Sequence, residues 1–141
     1  MPLSEWVRGN CPRKKPVELP YFDSPEALAE ATQMLVASCP LSDATRGLVG
    51  REVIAALGPE GYLVNISRGP IVDESALIEA LGAGRLAGAA LDVFENEPHV
   101  PEALRTHPAV ILTPHIGSGT EETRRQMGLS MVQSLKDALG A

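Results

Sequence analysis

The sequence predicts an α/β fold, a parallel sheet with helices on both faces. Three observations carry that prediction. Four short runs, Met34 to Cys39, Tyr62 to Ser67, Leu86 to Phe94 and Val110 to Thr113, have the near-continuous hydrophobicity of strands buried on two sides. Helix signals separate the runs, and the connecting loops span only a few residues, which is the rhythm of βαβ units. Three of the runs also stop abruptly, at Pro40, at Arg68-Gly69-Pro70 and at Pro114-His115.

Residues 1–20 stand apart as an irregular tail or an interrupted start. Cys11 to Pro20 holds three prolines beside Arg13-Lys14-Lys15, and no hydrophobic period runs through it. Residues 21–141 carry the ordered pattern. Ser24 is placed as an N-cap, with Pro25 at the first helical position and Glu26 at the positive end of the helix dipole, for a helix to about Ala31. After the first strand, the polar stretch Ser42 to Thr45 leads to a helix around Arg51 to Leu57, closed by Gly58-Pro59. Asp73 caps a helix through Leu81, which Gly82 and Gly84 end. Asn96 to Pro108 reads as a loop with three prolines. The last helix starts near Ser118 or Thr120, where Ser118 and Glu121 have capping-box spacing, and Met127, Met131, Leu135 and Leu139 form its apolar stripe.

Bulk properties narrow the function. A chain of 141 residues makes one compact domain. Its net charge of −6 opposes nucleic acid as a partner, because phosphate backbones demand excess lysine and arginine. No apolar run approaches the roughly 20 residues that cross a bilayer, and the N-terminus has neither a secretory nor a transit pattern. A cytoplasmic location is expected. Cys11 and Cys39 have no paired spacing, so no disulfide framework and no metal site are predicted.

Gly82-Ala-Gly84-Arg-Leu-Ala87 matches the dinucleotide fingerprint G-x-G-x-x-A letter for letter. It follows a helix and opens a strand, whereas the fingerprint must follow a strand and open a helix. A dinucleotide-binding sheet should begin with strand, glycine-rich turn and helix, and none lies upstream of Asp23.

Arg68, Glu97 and His115 each follow a predicted strand, where open α/β sheets place their ligands. Together they suit the reduction of a 2-keto acid. Negative charge develops on the ketone oxygen, for which a protonated His is the natural proton donor. A carboxylate beside that His orients it, and an arginine fork anchors the substrate carboxylate. Asp92, inside Leu91-Asp-Val-Phe94, calls for a hydrogen-bonding partner, either a cofactor amide or backbone groups. Each also has a plain structural reading: His115 as a backbone cap, Glu95 and Glu97 as solvated loop charges, and Cys39 as a small buried filler.

Cys39-Pro-Leu-Ser-Asp-Ala-Thr45, Val64-Asn-Ile-Ser-Arg-Gly69, Leu91-Asp-Val-Phe-Glu-Asn-Glu-Pro98 and Thr113-Pro-His-Ile-Gly-Ser-Gly119 resemble the D-isomer-specific 2-hydroxyacid dehydrogenases. The likeness covers about Tyr21 to Ala141 and is strongest to hydroxyphenylpyruvate and glyoxylate/hydroxypyruvate reductases. It implies a partial Rossmann-like sheet that lacks the first βαβ unit and the substrate domain. It also implies an NAD(P)H-dependent oxidoreductase acting on a small 2-keto or 2-hydroxy acid. Arg68 matches the family's substrate arginine, Glu97 the carboxylate supporting the histidine, and His115 the acid/base. Asp92 matches the aspartate that contacts the nicotinamide carboxamide. Cys39, Pro40, Thr45, Ile66 and Gly117 join Arg68 and His115 along the cofactor, and Arg13 and Lys14 favour a 2′-phosphate, hence NADP over NAD. Family members run to over twice this length and are usually homodimers, and the dimerisation segment is missing here. The resemblance therefore implies a truncated or alternatively spliced product or a mispredicted gene model, with Met1 to Asn10 as foreign sequence from the wrong exon. Two further readings follow: a non-catalytic module that associates with full-length relatives, and a cofactor-sensing regulator on the same fold.

Overall fold

The computed structural model describes residues 20–140, so Arg13 and Lys14 lie outside the described residues. Four strands, β1 (Met34–Ala37), β2 (Tyr62–Asn65), β3 (Gly88–Leu91) and β4 (Val110–Leu112), form one sheet in the order β1-β2-β3-β4. Every neighbouring pair is parallel. The register aligns Ala37, Asn65, Leu91 and Leu112 in one row across the carboxyl end of the sheet. All the strands are shorter than the apolar runs that predict them. After β3 the run continues through Val93 and Phe94, which stay buried although the ladder has ended, whereas Ile66 after β2 is exposed.

The helices are α1 (Pro25–Glu30), α2 (Arg51–Leu57), α3 (Glu74–Gly82), α4 (Glu102–Arg105) and α5 (Glu121–Leu139). Caps fall where the sequence puts them at two sites. The Ser24 hydroxyl accepts from the Ala27 N–H at 3.1 Å, and Asp73 accepts from the Ala76 N–H at 2.9 Å. At α5 the cap is Thr120, which accepts from the Thr123 N–H at 3.2 Å, and Ser118 lies outside the helix. Gly82 is the last residue of α3, and Gly84 turns the chain at φ 64° toward β3. The literal fingerprint is thus a helix ending. The proline-rich segment expected as a loop contains α4, because Pro101 starts a single turn that buries Leu104.

The core lies between one face of the sheet and the layer α1-α2-α3. Leu35, Leu63, Ala89 and Leu91 meet Ala29, Val53, Ile54, Leu57, Leu77, Ala80 and Leu81 there. Burying each of the larger side chains contributes about 1.5–3 kcal/mol.

Helices on both faces were the expectation, and the described residues depart from it. The side chains alternate, and Met34, Val36, Tyr62 and Ile111 lie on the open face, at 57%, 47%, 48% and 69% exposure. The apolar stripe of α5 is likewise uncovered, and no residue of that helix is buried. Periodicity identifies which side of an element is apolar, but it does not name the surface that meets it.

Candidate functional site

All three strand-end groups stand beyond the same edge of the sheet, because parallel strands deliver their carboxyl ends together. The first is Arg68. Asn65, only 1% exposed, ends β2 and builds the turn that carries it. Its side-chain amide donates to the Arg68 carbonyl at 3.0 Å, and its Oδ1 accepts from the Ser67 N–H at 3.1 Å. The guanidinium is exposed, and one nitrogen donates to the Ser67 carbonyl at 2.6 Å. Gly69 must be glycine here, because a Cβ would fall 1.9 Å from the Phe94 carbonyl carbon and oxygen.

His115 and Glu97 are paired. The imidazole Nδ1 lies 2.9 Å from Glu97 Oε2, while Oε1 of the same carboxylate accepts from the Phe94 N–H at 3.1 Å. The bond to His115 is the main cause holding the Glu97 carboxyl below the usual range. Partial burial opposes it, and the Phe94 N–H and the charge of Arg68 reinforce it. Arg68 therefore lies within electrostatic reach of the pair. The peptide between Glu97 and Pro98 is cis. His115 itself holds φ 53°, a left-handed conformation that non-glycine residues seldom adopt. Such strain persists only where the surroundings impose it.

Asp92 supplies those surroundings. It is buried, and its Oδ1 accepts from the Thr113 hydroxyl at 2.5 Å and the Ile116 N–H at 2.9 Å. Its Oδ2 accepts from the Gly117 N–H at 2.8 Å. Burial pushes this carboxyl up, but the three donors and the nearby His115 outweigh it and leave the group below its ordinary value. Of the two partners open at the sequence level, backbone groups are engaged directly. Asp92 clamps both sides of His115.

The remaining sequence candidates fall into two groups. Pro40, Ile66 and Gly117 are exposed at the same sheet edge, and the Cys39 carbonyl accepts from the Ser67 hydroxyl, tying the ends of β1 and β2. Thr45 is buried instead. Its hydroxyl donates to the Pro40 carbonyl at 2.7 Å and accepts from the Ser42 N–H at 2.8 Å, so it shapes the loop after β1 from inside. His99 and His107 are outside this group, and His107 accepts from the Ala109 N–H in its own turn. Sequence reasoning passed over Asn65, Thr113 and Glu74. The Asn65-x-Ser67 spacing is an Asx-turn signal that could have flagged the first. Thr113 and Glu74 depend on contacts 21 residues away in sequence and carry no local mark. Among the described residues no His, Cys, Asp and Glu cluster could hold a metal ion, and no helix is long and apolar enough to cross a membrane.

Comparison with known proteins identifies the family and the fold. Residues 7–117 match the profile of the D-isomer specific 2-hydroxyacid dehydrogenase, NAD binding domain. A glyoxylate/hydroxypyruvate reductase of Arabidopsis thaliana is 52% identical over 123 residues, covering 87% of this chain and 39% of the relative. A hydroxyphenylpyruvate reductase of Plectranthus scutellarioides is 48% identical over 135 residues, covering 96% of this chain and 42% of the relative. The chain thus spans about two fifths of the length of these relatives. Among solved structures, the NADPH-dependent glyoxylate/hydroxypyruvate reductase of Sinorhizobium meliloti, in complex with NADP and malonate, superposes with a TM-score of 0.85. It is 42% identical, and the match covers 90% of this chain and 40% of that one. With its parallel sheet, its strand-end site and a profile match over most of its length, this chain belongs to the D-isomer specific 2-hydroxyacid dehydrogenase family, as part of the NAD-binding domain.

Proposed function

We propose that this chain carries the acid/base site and one wall of the cofactor cleft of an NAD(P)H-dependent 2-keto acid reductase, acting on hydroxypyruvate, glyoxylate or hydroxyphenylpyruvate in the cytoplasm. The observation that carries the proposal is the His115–Glu97 pair at 2.9 Å, within electrostatic reach of Arg68. Glu97 occupies Nδ1, which leaves Nε2 to hold the proton destined for the ketone oxygen. A charged Glu97 stabilises the protonated ring and fixes its orientation. Arg68 has guanidinium donors beyond the one given to Ser67, enough to hold a substrate carboxylate.

A reduced nicotinamide, when bound, supplies the hydride. The chain's fit to that end of a dinucleotide is good: Pro40 and exposed Ile66 present apolar surface at the ends of β1 and β2, on the same carboxyl edge as His115 and Gly117 after β4. NADP is favoured over NAD by Arg13 and Lys14, and the Sinorhizobium meliloti relative is NADPH-dependent. Asp92 acts on this site through the loop that it clamps, and Thr45 through the loop after β1.

The test is NADPH consumption by the purified chain with hydroxypyruvate, beside His115→Ala. Slow turnover that disappears in the variant supports the reading, and turnover that survives the substitution overturns it.

A second reading, association with full-length relatives, is favoured by one observation. The open sheet face and α5 expose apolar side chains in contiguous groups, and such patches mark interaction surfaces. Co-purification with a full-length reductase would support it, and a clean monomer in the presence of that reductase would oppose it.

A further inference from the structure

Glu74 is the first residue of α3, directly after the Asp73 cap, and acidic residues there usually point into solvent near the positive end of the dipole. This one is 7% exposed. Burying a carboxylate is costly unless its oxygens are bonded. The partner is the backbone N–H of Glu95, 21 residues further along the chain.

The peptide between Phe94 and Glu95 is held from a second direction too. Its carbonyl is the group against which Gly69 packs, so close that no other residue fits. Gly69 follows Arg68, and the N–H of Phe94 donates to Glu97. The Phe94–Glu95 peptide therefore packs on the turn that carries Arg68 and bonds through its N–H to Glu74, and the peptide just before it, through the Phe94 N–H, holds Glu97.

From this juxtaposition we infer that Glu74 is a positioning residue, which sets Glu97, and through it His115, relative to Arg68. The inference rests on reading those three residues as one site. Glu74 touches neither ligand nor reacting atoms in this scheme. It acts by fixing the Phe94–Glu97 turn against α3, and an acceptor of full glutamate length is what the task requires. Burial raises the Glu74 carboxyl above its ordinary value, while the Glu95 N–H opposes the shift. The Glu95 N–H needs only an acceptor oxygen at that reach, so the neutral amide oxygen of glutamine should replace the carboxylate.

The experiment follows the Glu97 carboxyl by carbon-13 NMR across a pH titration of the full chain, in wild type, Glu74→Gln, Glu74→Asp, Glu74→Ala and His115→Ala. In the wild type the midpoint should lie below the ordinary glutamate value because of the bond to His115. Glu74→Gln should keep that low midpoint. Glu74→Asp, one methylene short, and Glu74→Ala should shift it upward while the chain remains folded by circular dichroism. Unmoved midpoints in folded Glu74→Asp and Glu74→Ala overturn the inference. So does a shift in Glu74→Gln with none in Glu74→Asp, which would assign the effect to charge. If Glu74→Ala does not fold, the contrast between Gln and Asp decides alone. The His115→Ala control separates the layers: a midpoint unmoved there removes the pair itself, and the inference falls with the site.

Discussion

His115 is held in a conformation it would not choose, and the groups that hold it are few. Asp92→Ala leaves the Thr113 hydroxyl and the N–H groups of Ile116 and Gly117 without their acceptor. Losing a buried acceptor costs about 1–3 kcal/mol per unsatisfied group, and water recovers part of it here because Thr113 is half-buried and Ile116 and Gly117 are exposed. We expect a loss of at least ~2 kcal/mol in urea unfolding, together with loss of any turnover. Removing His115 itself should leave stability near wild type, since the ring is 42% exposed, and reduce turnover by about 10²–10⁴-fold, the usual worth of a positioned acid/base. Acid sensitivity has a definite sign. Asp92 and Glu97 have folded values below their unfolded ones, so their contribution is present above the ordinary carboxylate range and is lost as pH falls through the folded values. Glu74 is raised and works in the opposite direction, regaining stability on protonation. With Glu79 also lowered by Arg85 and Arg51, three carboxylates against one predict a net decline below about pH 4, and Asp92→Asn should flatten it. Urea midpoints across pH 3 to 7, wild type against variant, check this.

At the level of elements, the turn at Gly69 is the least forgiving. Gly69→Ala drives a methyl group into the Phe94 carbonyl, and separating the two turns should cost ~3 kcal/mol or more. A urea midpoint near wild type would contradict the close approach. The helix α5 is the opposite case. With no buried residue it lacks the packing that stabilises most protein helices, so its amides should exchange with deuterium far faster than those of α3 or β2. This contrast also shows what a sequence discloses. The strands and helix caps were legible because apolar runs, Ser24 and Asp73 act on their immediate neighbours. That Arg68, Glu97 and His115 would share one edge of the sheet was legible because each follows a strand end. The clamp by Asp92, the bond from Glu74 and the contact at Gly69 were not, since each joins segments that only the folded sheet brings together. The bare sheet face was equally hidden: Met34 and Leu35 look alike in a run of apolar letters, yet they face opposite sides.

For the whole molecule, the exposed surface dominates behaviour. Met34, Val36, Tyr62 and Ile111 on the sheet, and Met127, Met131, Leu135 and Leu139 on α5, give the purified chain two apolar surfaces at once. The net charge of −6 works against collapse onto other copies, and added salt weakens that protection. Light scattering should therefore rise with ionic strength, and Met131→Glu with Leu135→Lys should suppress the rise. A scattering signal indifferent to both salt and substitution would show that these surfaces are already covered in solution.

The strand order has a consequence in time. Because the sheet runs β1-β2-β3-β4 in the order of the chain, a ribosome delivers each strand to a neighbour already made, and no strand must wait to be inserted between two others. Arg68 emerges early, Glu97 later and His115 last. During synthesis Glu97 thus stands ready before His115, the imidazole with which it pairs.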